Sequence, residues 1–168
     1  MQKFLLGILS LALITGAVMA SDSKIVYGYV EKVILVDKDL ELSAKLDTGA
    51  KSASLSAINI KEHYENGKHY LSFTVPTKQG DYKCKAEYVG KVNIKPRMGE
   101  YLKELAKFRP LRRPIVKMHI RLGKKDREIL LNLTNRKRFN YSILLGRDAI
   151  VAFDGVVDPS RIFLIKDR

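Results

Sequence analysis

The segment Leu42-Ser43-Ala44-Lys45-Leu46-Asp47-Thr48-Gly49-Ala50 decides the fold of this chain. Apolar and polar residues alternate from 42 to 46, which is the pattern of a strand with one buried face. Asp47 follows where this strand ends, in a turn that Gly49 favours. A carboxylate at the edge of a core needs hydrogen bonds or a like-charged partner, and either shifts its pKa. Asp47 is therefore a candidate catalytic acid or base.

A second motif, Ile143-Leu144-Leu145-Gly146-Arg147-Asp148, places Gly and Arg directly after an apolar run. The segment 47–50 resembles the Asp-Thr/Ser-Gly signature of aspartic proteases, and the second motif resembles its counterpart in retropepsins. The tripeptide alone is weak evidence because turns favour Asp and Gly. Asp148 alone also fits an ordinary helix start, where the helix dipole favours an acid. The two motifs together are far more specific than either one.

The chain is also similar to a bacterial retropepsin-like family long labelled "ATP-dependent zinc protease", some of whose members accompany ATP-grasp glutamate ligases. The similarity covers nearly all of the sequence after residue 20. It is carried by segments 28–33, 44–52, 113–117, 133–136, 144–148 and 156–159. This resemblance implies an all-β fold, specifically a closed acid-protease (retropepsin-like) β-barrel with one short C-terminal helix.

The residue patterns themselves also favour an all-β fold. Short alternating or β-branched segments, separated by turn residues and without a sustained helical period, indicate a barrel or a sandwich. We predict strands over 25–36, 40–46, 69–75, 82–89, 115–122, 128–133, 142–145 and 161–165. We predict a helix over 147–153, and a short helix or a turn over 101–108.

Residues 1–20 have the composition of a secretory signal. They contain one charged residue, Lys3, then an apolar run, and they end in the small residue Ala20. We expect cleavage near Ala20 and a periplasmic or secreted mature protein, with a retained membrane anchor as the alternative. Residues 21–168 have the length of one domain, which the resemblance identifies as a retropepsin-like aspartic peptidase domain. Cys84 is the only cysteine, so no intramolecular disulfide can form.

The chain is strongly basic, with a formal net charge of +13 at pH 7. Its basic residues include two clusters: Lys95, Arg97, Lys103, Lys107, Arg109, Arg112 and Arg113, and then Arg136, Lys137 and Arg138. We interpret the clusters as a solvated face, or as a surface that attracts anionic lipid headgroups, cell wall or acidic peptides. Aromatic residues are not interleaved with them as in a base-stacking surface, so nucleic acid is not an expected partner.

No cofactor or metal is expected from the sequence. The three histidines, His63, His69 and His119, are scattered, and neither a His-Glu-x-x-His pair nor a cysteine cluster is present. A glycine loop that could hold the phosphates of ATP is also absent. The words "ATP" and "zinc" in the family label therefore have no support in this chain.

Aspartic proteases use two carboxylates that share a proton, and this chain has a single Asp-Thr-Gly. The resemblance therefore implies a homodimer in which each chain contributes Asp47. It further implies that Thr48 fixes the turn through its hydroxyl, that Gly49 permits close approach of the substrate, and that Ala50 continues the turn.

The second motif takes supporting roles under the same resemblance. Gly146 lets this motif pack beneath the active-site loop, and Arg147 supports that loop and the dimer interface. One departure concerns Lys51, because viral retropepsins have at this position an Asp that pairs with the arginine of the motif. The hairpin around Gly80 and the segment 95–113 are alternative candidates for a flap over the site.

The sequence thus predicts an exported retropepsin-like aspartic endopeptidase, or a peptidase acting on glutamyl or other specialised peptides, with an Asp47 dyad formed by homodimerisation. The alternative is a non-catalytic periplasmic binding or accessory module. In that case the basic face would engage anionic envelope components, and Asp47 would serve only to form a turn.

Overall fold

The computed structural model describes residues 23–94 and 111–165 of the chain, and most of them lie in strands. The strands are β1 (Ile25–Leu35), β2 (Leu40–Leu46), β3 (Ala53–Ser56), β4 (Ile58–Glu65), β5 (Lys68–Thr77), β6 (Gly80–Ile94), β7 (Leu111–Leu122), β8 (Lys125–Thr134), β9 (Ile143–Leu145) and β10 (Gly155–Ile162). A short helix, α1 (Arg147–Ala152), separates β9 from β10, and a 3₁₀ turn spans Val36–Lys38. In this part of the chain no helix is long and apolar enough to cross a membrane.

Six strands close into a barrel in the order β1-β2-β9-β3-β8-β7, and β7 then pairs with β1 again. The closing pairs are Ile34 with Arg121 and Leu35 with Ile120. Outside the barrel, β6, β5 and β4 extend the sheet from β7, and β10 pairs in parallel with β1. The predicted closed, all-β barrel with a short helix near its C-terminal end is confirmed.

The core lies inside the barrel because alternate residues of each strand point inward. Leu35, Leu55, Val116 and Leu131 are completely buried there. The hydroxyl of the buried Tyr27 donates a hydrogen bond of 3.1 Å to the carbonyl of Phe153 just after α1, which ties the helix end to β1.

Several strand predictions were wrong in their limits. Strands β3 and β4 were not predicted, and the last strand is β10, not 161–165. Residues 163–165 instead run past β1, where the carboxylate of the fully buried Glu31 accepts hydrogen bonds from the backbone N–H groups of Leu164 and Ile165. The expected signal segment 1–20 and the expected helix or turn over 101–108 lie outside the described residues.

Candidate active site

Parallel pairing of β2 with β9 brings the two sequence motifs together. Ala44 pairs with Ile143 and Leu46 with Leu145, so both strands end at the same edge of the barrel. The register continues one residue further, since the N–H of Asp47 donates to the carbonyl of Leu145 at 2.9 Å. The Asp-Thr-Gly turn and the Gly-Arg pair therefore leave the barrel side by side.

The Asp47 carboxylate is held by its own turn. Its Oδ1 accepts a hydrogen bond of 3.0 Å from the N–H of Gly49, and the N–H of Ala50 donates to the Asp47 carbonyl at 3.1 Å. The other oxygen, Oδ2, lies 3.7 Å from Nζ of Lys45. The side chain is 19% exposed, so the carboxylate is oriented yet open to a ligand. A Cβ on Gly49 would lie 3.2 Å from Oδ1, so a larger residue here would crowd the carboxylate.

The second motif packs against this turn through Gly146 and Arg147. The Arg147 guanidinium donates to the carbonyl of Thr48 at 3.0 Å and also contacts that of Gly49 at 3.4 Å, while its backbone N–H donates to Ala50. A Cβ on Gly146 would lie 2.6 Å from the carbonyl oxygens of residues 51 and 52, so the packing requires glycine.

The structure also places Thr48, Lys51 and Asp148, which lie in or beside the two motifs. The Thr48 side chain is exposed, and its hydroxyl has no hydrogen-bond partner among the described residues, so the turn is held by Asp47 and Arg147 instead. Lys51 contributes its backbone carbonyl, which accepts from the N–H of Asp148 at 3.1 Å. Asp148 lies in the first turn of α1, and its exposed carboxylate lies at the edge of the site.

Asp47 lies in a cleft of about 920 Å³. The lining combines residues of both motifs with residues that the sequence analysis did not assign to the site. The latter include Tyr29, Ser54, Arg113, Asn132, Arg136 and Tyr141. A volume in this range suits a ligand of peptide size.

Arg136 is the least expected of these residues. Its basic cluster suggests a solvated face or an anion-attracting surface, but the Arg136 side chain is only 6% exposed. Its guanidinium donates to the carbonyl of Tyr141 at 3.0 Å and to the Ser54 hydroxyl at 3.3 Å, and it stacks 4.5 Å from the Phe139 ring centre. No carboxylate forms an ion pair with it in the part of the chain that the structure describes.

Arg113 joins Arg136 in the cleft. Its Nη1 donates to Oδ1 of Asn132 at 3.3 Å, and Asn132 is itself fixed by a bond of 2.6 Å from Nδ2 to the carbonyl of Ala53. Burial, followed by the like charge of Arg113, lowers the pKa of the Arg136 guanidinium, while the negative charge of Asp47 opposes that shift. The cleft therefore combines the Asp47 carboxylate with several cationic side chains, and Asp148 adds a second carboxylate at its edge.

The two flap candidates differ in whether their neighbouring residues line the cleft. Val92, Asn93 and Ile94 at the end of β6, together with Arg113 on β7, line the cleft. The hairpin that connects β5 to β6 at Gly80 does not contribute to the lining. The residues between Ile94 and Leu111 lie outside the described part of the chain, as do Lys95, Arg97, Lys103, Lys107 and Arg109.

Residues 23–94 and 111–165 contain no group of three or more His, Cys, Asp and Glu side chains that could hold a metal ion. His63 lies on β4 and His69 on β5, and each faces a glutamate of this hairpin, Glu65 and Glu62 respectively. His119 on β7 faces Glu128 of β8.

Comparisons with known proteins agree with this geometry. Residues 26–168 match the family model described as RimB-like, retropepsin-like aspartic endopeptidase RimB. A crystal structure of a Legionella pneumophila protein of unknown function is 54% identical, covers 86% of this chain and 100% of that one, and superposes with a TM-score of 0.73.

Two curated relatives, from Shewanella pealeana and Shewanella halifaxensis, are each named a probable alpha-L-glutamate ligase and are 32% identical over 131 and 128 residues. These matches cover 76% and 74% of this chain. The chain spans about a quarter of the length of each relative, 26% in both cases.

Proposed function

This chain belongs to the family of retropepsin-like aspartic endopeptidase RimB, and from that premise we propose that it hydrolyses peptide bonds with a pair of Asp47 carboxylates, one from each of two identical chains. The observation that carries the proposal is the position of Asp47. It lies in a turn supported by Gly146 and Arg147, and its partly exposed carboxylate faces a cleft of peptide size.

Two carboxylates at close range cannot both ionise easily, so the pair holds one proton. The ionised Asp47 takes a proton from a water molecule, and that water attacks the scissile carbonyl carbon. The protonated Asp47 donates a hydrogen bond to the carbonyl oxygen as negative charge develops there. The proton taken from the water then passes to the leaving nitrogen, the C–N bond breaks as the carbonyl re-forms, and the pair is left with one proton as before.

Homodimerisation follows from the need for a second carboxylate. The chain has a single Asp-Thr-Gly, and a two-fold axis beside Asp47 would place both copies in one site. The turn is open for such contact, because Thr48 and Gly49 are exposed. The Thr48 hydroxyl, which has no partner within the described residues of one protomer, is available to a second chain.

The cationic lining favours a peptide with acidic side chains. Arg113 and Arg136 can each present N–H groups to a substrate carboxylate, and guanidinium groups bind carboxylates with strong, directional hydrogen bonds. The relatives named glutamate ligases contain a segment similar to this chain, which suggests glutamyl peptides as the acidic substrate. Export of the protein, with removal of residues 1–20, would place this activity in the periplasm or outside the cell.

Peptide cleavage by the purified protein tests the proposal. A library that contains glutamyl peptides is incubated from acid to neutral pH with the wild type, with Asp47→Asn and with Asp37→Asn, an exposed control in the 3₁₀ turn. We expect cleavage by the wild type and the control, none by Asp47→Asn, and a bell-shaped pH profile that belongs to the carboxylate pair.

Other results would contradict the peptidase assignment. If Asp47→Asn cleaves as well as the wild type, Asp47 is not catalytic. If no protein cleaves but acidic envelope components bind all three equally, the chain is a binding module whose Asp47 only forms a turn.

A further inference from the structure

A second, smaller depression continues the Asp47 cleft along the outside of the barrel. It has a volume of about 310 Å³ and lies between helix α1 and strand β8. Ala149 and Ala152 form its helix side, and Ile129 and Leu130 form its strand side. We call this depression the α1–β8 groove. Its volume is at the lower end of the range for ligand sites, about 300–1,000 Å³.

The groove is continuous with the cleft. Ser52, Val92, Asn132 and Asp148 line both spaces, so a ligand in the cleft lies next to the groove. Asn132 forms the boundary and is held rigidly, because its Nδ2 donates to the carbonyl of Ala53 at 2.6 Å and also contacts the Ser52 hydroxyl at 3.4 Å.

The chemistry of the groove differs from that of the cleft. Its walls are mostly apolar, and Leu130 is 50% exposed although it is a large hydrophobic residue. The charged residues of its lining are Asp148 and Glu128, and the Glu128 carboxylate pairs with Nζ of Lys117 at 3.3 Å. Arg113 and Arg136 line the cleft but not the groove. The Asp148 carboxylate therefore disfavours an acidic side chain at this edge, whereas an apolar side chain would cover Leu130.

We propose that the α1–β8 groove is a substrate subsite that takes a large apolar side chain of the peptide bound at Asp47. The inference rests on the proposed peptidase function and refines its substrate class. An extended peptide places alternate side chains on one side about 7 Å apart, so one chain can offer a carboxylate to the arginines and an apolar side chain to the groove. The preferred substrate is thus an acidic peptide with a leucine- or phenylalanine-sized residue near the cleaved bond, not a uniform run of acidic residues.

The small residues of α1 allow a filling experiment. Ala152→Leu places bulk in the groove at a residue that does not line the cleft. Val151→Leu is the matched control, since Val151 lies on the same helix, is 67% exposed and lines neither space. Leu130→Ser, at an exposed position on the opposite wall, removes the apolar surface without adding volume.

Each variant is tested in the full-length chain against glutamate-containing peptides in which one position at a time is Ala, Leu, Phe or Glu. We expect the wild type and Val151→Leu to prefer Leu or Phe over Ala and Glu at one position, by about tenfold or more in kcat/KM. Ala152→Leu and Leu130→Ser should lose most of that preference while cleaving the Ala peptide at the wild-type rate.

Binding of the same peptides to Asp47→Asn, and to Asp47→Asn combined with Ala152→Leu, separates the two proposals. If the wild type cleaves but neither cleavage nor binding depends on an apolar residue, the subsite is wrong and the peptidase stands. If nothing is cleaved but Asp47→Asn prefers Leu peptides and loses this with Ala152→Leu, the subsite stands and the peptidase is wrong. If Ala152→Leu leaves the selectivity unchanged, or if no peptide binds, the subsite is overturned.

Discussion

The buried carboxylate of Glu31 offers a prediction with a defined magnitude. Its Oε1 accepts hydrogen bonds from the N–H of Gly28 at 2.6 Å and of Leu164 at 2.9 Å, and Oε2 accepts from Ile165 at 3.3 Å. Glu31 is completely buried, so water cannot replace a lost acceptor. Glu31→Gln keeps one carbonyl oxygen but turns an NH₂ group toward at least one backbone N–H.

We expect this substitution to lower the free energy of unfolding by about 2 kcal/mol, since hydrogen bonds to charged groups contribute about 1.5–3 kcal/mol and Gln loses at least one of them. For a chain of this length the Tm should fall by about 4–8 °C. Chemical and thermal unfolding measure the change, and hydrogen exchange at Leu164 and Ile165 should accelerate because these amides lose their acceptor.

The control is Glu41→Gln on the neighbouring strand β2. The Glu41 carboxylate pairs with the Lys32 ammonium at 2.8 Å, but its side chain is 54% exposed, so loss of this pair should cost less than about 1 kcal/mol. Equal stability of the two variants, or a stabilised Glu31→Gln with unchanged exchange at residues 164 and 165, would refute the reasoning. A stabilised Glu31→Gln would mean that removing the buried charge stabilises the fold by more than the lost hydrogen bond destabilises it.

Three further predictions concern the site and its support. Gly146→Ala should destabilise the protein by about 1–3 kcal/mol, measured by urea unfolding, because the new Cβ lies 2.6 Å from two backbone carbonyl oxygens; unchanged stability would contradict the packing described. Arg147→Lys should lower kcat about tenfold or more with a small change in KM, since lysine lacks the planar group that reaches Thr48 and Gly49; an unchanged kcat would show that the turn does not need this support. Burial, with a smaller contribution from Asp154, raises the pKa of Tyr27 to about 12, so the unfolded chain releases this proton first and the free energy of unfolding should fall from about pH 10 upward. Tyr27→Phe should lack this part of the alkaline decrease in the free energy of unfolding. If that free energy, measured by denaturation from pH 8 to 11.5, falls equally in the wild type and in Tyr27→Phe, the prediction is wrong.

The barrel fold and the position of the Asp-Thr-Gly turn after a strand could be predicted because their signals are local. Alternation along β2 and the adjacent Asp-Thr-Gly define a strand and a turn within nine residues, and Gly146 with Arg147 marks the second motif. Strand β10 was misplaced because it contains Gly155, Asp158 and Pro159, residues that usually indicate a turn. It tolerates proline as an edge strand that pairs only with β1 in the described sheet.

The cationic part of the site could not be predicted from local patterns. Arg113 and Asn132 come from β7 and β8, and Arg136 follows β8, so they reach Asp47 only through the strand order β2-β9-β3-β8-β7 of the sheet. Arg136 belongs to a basic tripeptide that has the composition of a solvated surface. Its buried guanidinium contacts Ser54, which is far away in the sequence, and Phe139, which is close in the sequence but belongs to no periodic pattern. Strand β3 was missed because Ser54 and Ser56 are polar yet buried there.

Activity of mixed dimers tests the shared Asp47 pair most directly. Wild-type and Asp47→Asn chains are co-expressed in known ratios with different tags, and peptide cleavage is measured on the total dimer population. If each site needs Asp47 from both chains, equal amounts should give about a quarter of the wild-type activity, because only homodimers of wild-type chains retain the pair. Activity that falls in proportion to the wild-type fraction, to about a half at equal amounts, would show that each chain acts alone and would contradict the shared site.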